Sequence, residues 1–122
     1  MFGWFRKRAA RPQPETRWIV ALALEHVAIT DAHGGVRRLA LTDLRGVTIE
    51  TNDSGPWGTD VWWLLFGADD RLACAFPQGA TGEAALLDYL CALPGFDFAA
   101  MGRAMGSTDN AVFPVWRKDD AR

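Results

Sequence analysis

Val61-Trp62-Trp63-Leu64-Leu65-Phe66 is apolar on both of its faces, with Val61, Trp63 and Leu65 alternating against Trp62, Leu64 and Phe66. Side chains of a strand point alternately to opposite faces, so this strand is either covered on both sides or shows one face to a partner. Its neighbours read as the rest of a sheet. After the tip Gly67-Ala68-Asp69-Asp70, residues 71–76 turn Leu72, Cys74 and Phe76 inward. Upstream, residues 45–51 set Val47 and Ile49 against Thr48 and Glu50. Between them lies Thr51-Asn52-Asp53-Ser54-Gly55-Pro56-Trp57-Gly58-Thr59-Asp60, in which seven residues are Asn, Asp, Ser, Gly or Pro, so the stretch reads as a hairpin loop.

Further upstream the period stays near two. Trp18, Val20, Leu22 and Leu24 alternate with Ile19, Ala21 and Ala23, and Val27 and Ile29 carry the pattern to the turn Asp31-Ala32-His33-Gly34-Gly35. Leu39 and Leu41 continue it. After Gln78-Gly79 the period becomes helical. Thr81 is placed to cap a helix in which Leu86, Leu90 and Leu93 recur, and Pro94-Gly95 ends it. Asp97 caps a second helix with the stripe Phe98, Met101 and Met105, and residues 111–116 form a last strand that Pro114 confines to a sheet edge.

These elements predict an α+β domain. Its plan is an antiparallel meander of about six strands, a half-barrel or sheet, packed by one or two C-terminal helices and closed by an edge strand. The 122 residues suit one domain over 17–117, with a flexible basic and aromatic tail over 1–16 and a polar tail over 118–122. The predicted core joins Val20, Leu22, Ile29, Leu39, Leu41, Val47, Ile49, Trp63, Leu65, Leu72 and Cys74 to Leu86 and Leu90.

The rhythm of Val27-Ala28-Ile29-Thr30, Gly34-Gly35, Leu39-Ala40-Leu41-Thr42-Asp43-Leu44 and Val47-Thr48-Ile49 resembles bacterial pleckstrin-homology-like (PH-like) domains over residues 17–93. That resemblance implies a half-barrel closed by one helix, from which the second helix and last strand depart. Thr51-Asn52-Asp53-Ser54-Gly55-Pro56, Pro77-Gln78-Gly79-Ala80 and Leu93-Pro94-Gly95-Phe96-Asp97 resemble a family of small uncharacterised bacterial proteins, which implies no activity.

Charge is unevenly distributed. Residues 1–17 carry five cations against Glu15, so they hold +4 of a chain total of -2 and the remainder holds -6. An acidic body lacks the clustered Lys and Arg that nucleic-acid phosphates require, and it suits a basic protein partner. Cys74 and Cys91 read as two buried, reduced thiols, and no Cys or His spacing matches a zinc site. The apolar run 18–24 is short, is preceded by Pro12, Pro14 and Glu15, and meets no cleavage region, so it is not read as a signal peptide. No stretch nears the roughly 20 apolar residues of a membrane span, and the expected compartment is the cytoplasm.

The 52–60 loop is the first site candidate. Asn52, Asp53 and Asp60 offer hard oxygen atoms near Glu50, but the spacing lacks the glycine and closing glutamate of a calcium loop, so no metal is expected. Ser54 has no nucleophile context, and neither His26 nor His33 has the setting of a base. Gly79-x-x-Gly82 is no phosphate loop, although it precedes a helix N-terminus, where an anion can bind. No catalytic residue and no cofactor is assigned, and the reading leans away from an enzyme. Six tryptophans are a large excess for this length. Trp63 reads as core, whereas Trp57 and Trp62 exposed together would form the kind of aromatic anchor that dominates interfaces, unless the helices cover the Trp62 face. The leading expectation is a non-enzymatic protein-binding module, immunity-type or adaptor, that engages its partner through Asn52, Asp53, Trp57, Asp60 and Trp62. The alternatives are a small-ligand or enzymatic site at the 52–60 loop, or a membrane-surface adaptor using Trp4, Phe5, Arg6, Lys7 and Arg8.

Overall fold

The structure is a computed structural model that describes residues 17–55 and 58–118. The expected tails fall outside these residues, apart from Lys118. Among the described residues seven strands form two antiparallel sheets. The first holds β1 (Ile19–Leu22), β2 (His26–Thr30) and β3 (Val36–Ala40) in that order. The second holds β4 (Gly46–Gly55), β5 (Gly58–Phe66), β6 (Leu72–Pro77) and β7 (Ala111–Arg117), in the order β6-β5-β4-β7. Helices α1 (Glu83–Cys91) and α2 (Phe98–Met105) precede β7. The fold is therefore α+β, and β7 is the edge strand its proline demands.

Four local readings are corrected. The first strand stops at Leu22, because the Ala23 N–H closes a turn on the His26 carbonyl at 2.8 Å, which leaves Leu24 94% exposed. Leu41 is not in a strand. Its N–H reaches the Glu25 carbonyl, where the β2 ladder ends, and the chain coils into a 3-10 turn over Leu41–Asp43. Leu44 anchors that corner inside the core, and the meander breaks there into two sheets rather than running on as one. Much of the 51–60 stretch is strand rather than loop, since Gly55 pairs with Gly58 across a tight hairpin, with an irregularity in β4 between Asn52 and Gly55.

The α1 cap is the fourth. Gly82, not Thr81, holds the N-cap position, with φ +83°. Thr81 instead bridges to β1, accepting from the Val20 N–H at 2.7 Å and donating to the Trp18 carbonyl at 2.8 Å. A Cβ on residue 82 would overlap the Val20 carbonyl oxygen, so this close approach requires glycine. The Asp97 cap of α2 forms as expected, its Oδ1 accepting from the Ala100 N–H at 2.9 Å.

Trp62 and Trp63 follow one another on β5 and so point to opposite faces. On the Trp63 face lies α2 with its flanking turns. Trp63 Nε1 donates to Gln78 Oε1, Gln78 Nε2 donates to Met105 Sδ, and Thr51 Oγ1 donates to the Asp109 carbonyl at 2.8 Å. On the other face the Trp18 ring meets Trp62 edge-on. The central strand is thus covered on both sides, and Leu64, Leu65, Leu86 and Leu90 belong to the same continuous core. Among the described residues no helix is long and apolar enough to cross a membrane.

Candidate functional site

The antiparallel register of β4 and β5 sets Glu50 opposite Trp62 and Asn52 opposite Asp60. Residues two apart share a face, so these four side chains form one patch on the face away from α2. The patch is polar yet inside the molecule. Glu50 is 0% and Asn52 1% exposed, and Asp60 is half-buried. Withdrawing a carboxylate from water is costly unless it is paired or hydrogen-bonded, and Glu50, Asn52, Asp60 and Trp62 all take part in such polar, ring or electrostatic contacts. The sequence pattern sets Glu50 on the face opposite Val47 and Ile49, beside the 52–60 loop, without counting it among the contact residues. The Trp62 side of that alternation is what shows it belongs indoors.

The exposed Trp57–Trp62 anchor is corrected at Trp62. That ring is 4% exposed, held edge-on by Trp18, and has no area to offer a partner in the folded chain. Trp57 and the side chain of Asp53 lie outside the described residues, as do Trp4, Phe5, Arg6, Lys7 and Arg8. The described part of the expected site therefore gathers Asn52, Asp60 and Trp62 with Glu50 in an interior patch rather than on a rim.

A second feature is on the surface. Helix α2 buries Ala100 and Ala104, one turn apart, and turns its large residues outward. Phe98 is 55% and Met105 41% exposed, two turns apart on the same side, with Met101 half-buried beside them. Phe98, Met101 and Met105 are the apolar stripe that the spacing predicts for this helix, yet it is not the face the helix buries. The spacing of the two alanines was the signal that small residues let the helix sit close to β7 and β4 instead. Phe98 leans on Phe96, centroids 4.9 Å apart, and so is held in place rather than free to fold away. Gly102 adjoins the stripe on its helical turn, and a Cβ there would meet nothing within 4 Å.

Other candidates resolve into local structure. The Asp31 carboxylate accepts from the backbone N–H groups of His33 and Gly35, so this His–Asp proximity is a turn. The anion position at Gly79 is filled from within, because both Glu83 carboxylate oxygens accept from the Gly79 N–H at 3.0 Å. Both cysteines are free; Cys74 is buried and Cys91 only half so. Burial pushes the Cys74 thiol up to about 12, against a smaller lowering by Arg37. Desolvation and then the Asp88 charge raise Cys91. Among the described residues no three His, Cys, Asp or Glu side chains are grouped to hold a metal ion. No family model, no curated protein and no solved structure matches this chain.

Proposed function

We propose that the chain is a non-enzymatic protein-binding module, an adaptor or immunity-type protein, that docks its partner on the outward face of α2. The observation that carries this reading is the inversion of that helix: alanines inward, Phe98 and Met105 outward. A helix that exposes its large apolar residues forgoes burial that stabilises about 1.5–3 kcal/mol per side chain, which a partner can recover. Aromatic and methionine side chains are enriched at such contacts, and methionine adapts its shape to the surface it meets. Exposed Asp97 and Asp109 flank the helix, and the acidic body favours a partner with basic charge. Two free thiols suit the reducing cytoplasm as the place of action.

The test is capture from a native lysate by the full chain and by Phe98→Ser/Met105→Ser, with folding of the variant checked by its denaturation midpoint. A basic protein retained by the wild type and lost by the folded variant supports the reading. Equal retention by both, or a chain that retains nothing at micromolar concentration, overturns it.

A second reading has its own observation, the interior patch of Glu50, Asn52 and Asp60 at the base of the β4–β5 hairpin. Two carboxylates there would suit a small cationic ligand. A thermal-shift screen of small amines tests this, since any stabilisation should vanish in Glu50→Gln.

A further inference from the structure

We infer that the outer edge of β3 is a docking site for an extended acidic segment of another protein, which adds to the first sheet as a fourth strand. This edge belongs to the three-stranded sheet and stands apart from the α2 face proposed above.

The open edge follows from the ladder. Strand β3 ends its sheet, with β2 on one side and, among the described residues, no strand on the other. Hydrogen-bonded and non-bonded pairs alternate along an antiparallel ladder. The Asp31 N–H reaches the Gly35 carbonyl at one end, and the Leu41 N–H reaches the Glu25 carbonyl at the other. Both bonds keep the register that pairs Ile29 with Arg37 and Val27 with Leu39. Arg37 and Leu39 therefore bond to β2, and the N–H and C=O groups of Val36 and Arg38 point away from it. Among the described residues no backbone group pairs with these four. Both residues are exposed. Such a row of open backbone groups is a template for another strand.

Charge selects the occupant. Arg37 and Arg38 are both exposed and, as strand neighbours, lie on opposite faces. None of the three strands of this sheet contains an acid, although the chain beyond residue 17 sums to -6. Asp31, in the β2–β3 turn, accepts from the His33 and Gly35 N–H groups. A second copy of β3 is disfavoured by the same arginines. Pairing Val36 with Ala40 of the copy sets Arg38 on Arg38, and pairing Val36 with Arg38 sets Arg37 on Arg37. Like charges directly opposite one another destabilise a sheet, whereas opposite charges stabilise it.

Register then gives the order of the segment. On an antiparallel partner strand, successive acids stand opposite Arg38 and Arg37, and the next residue stands opposite Val36. Ile19, Thr30 and Val36 form one cross-strand row, in which Ile19 is 46% and Val36 48% exposed, so an apolar residue extends it. The segment reads acid, acid, apolar from its N-terminal end.

The experiment is amide hydrogen exchange on the full chain, read residue by residue by NMR. The probe is the end-blocked peptide Ser-Thr-Glu-Glu-Val-Thr-Ser. In the free chain Val36 and Arg38 exchange at least about tenfold faster than Arg37 and Leu39. The acidic peptide slows Val36 and Arg38 by about fivefold or more, whereas Ser-Thr-Lys-Lys-Val-Thr-Ser leaves them unchanged. Arg38→Glu, at an exposed position, loses the response to the acidic peptide. Phe98→Ser keeps it, so the result does not depend on the α2 reading. Val36 and Arg38 as slow as Leu39 in the dilute free chain would overturn the proposal, because the chain would then cover its own edge. So would slowing that grows with protein concentration, which would put a second copy on the edge, and so would an equal response to both peptides or to neither.

Discussion

Trp18 stands edge-on to Trp62, ring centroids 5.3 Å apart and planes at 84°, and so closes the side of β5 that faces away from α2. Edge-to-face rings are worth about 0.5–1.5 kcal/mol beyond the area they bury. Trp18 is 8% exposed, and the strand it precedes is only four residues long, so the ring helps tie the start of the fold to the second sheet. Trp18→Ala should cost about 3–5 kcal/mol, read as a lowered urea midpoint at unchanged slope. Trp18→Phe should recover most of that loss, because it restores a ring against Trp62.

Helix α1 packs against β1, with Leu86 and Leu90 wholly buried in the common core and Thr81, just before the helix, bridging to β1. Leu90→Ala should then cost about 2–5 kcal/mol, a large share of the roughly 5–15 kcal/mol of a typical domain. Equilibrium urea denaturation followed by tryptophan fluorescence measures it. A midpoint that barely moves would mean that α1 contributes little to the common core.

The periods of two and 3.6 made the class, the inward residues of β2, β4, β5 and β6, and the edge position of β7 legible in advance. Those features depend on side-chain alternation and on the missing N–H of Pro114, which are local. The break into two sheets was not legible. It depends on where the β2 ladder runs out, at the Leu41 N–H on the Glu25 carbonyl, a matter of register between residues distant in the chain. The site was legible only in part. Asn52, Asp60 and Trp62 do gather on one face, but the burial of Trp62 rests on Trp18, which stands just before the first strand of the other sheet. The outward turn of Phe98 and Met105 reflects a competition between two faces of one helix, won by the alanines because they allow closer approach.

The Cys74 thiol gives the pH dependence. Its pKa rises on folding from an ordinary 9.0 to about 12, chiefly through desolvation. Below pH 9 the thiol is neutral in both states and stability is unaffected. Between pH 9 and 12 the unfolded thiol ionises while the folded one does not, so the unfolded state gains and stability falls. The slope from this group is up to about 1.4 kcal/mol per pH unit. Urea midpoints measured from pH 8 to 11 should fall more steeply for the wild type than for Cys74→Ala. In the native state at pH 8, a thiol reagent should label the half-exposed Cys91 well before Cys74.

Gly102 separates the stability of α2 from its proposed use. It lies inside the helix, where glycine costs about 0.5–1 kcal/mol relative to alanine, and among the described residues nothing beyond the helix's own backbone stands within 4 Å of the place a Cβ would take. Packing within the chain thus gives no reason for glycine, whereas close approach of a partner backbone beside Phe98 and Met105 does. Gly102→Ala should therefore raise the midpoint of thermal unfolding, by the few degrees that about 0.5–1 kcal/mol produces in a domain of this size. Retention of the partner should fall at the same time, since the added methyl stands in the contact. A variant that is more stable and binds as well as the wild type would remove Gly102 from the interface and leave the outward stripe to act alone.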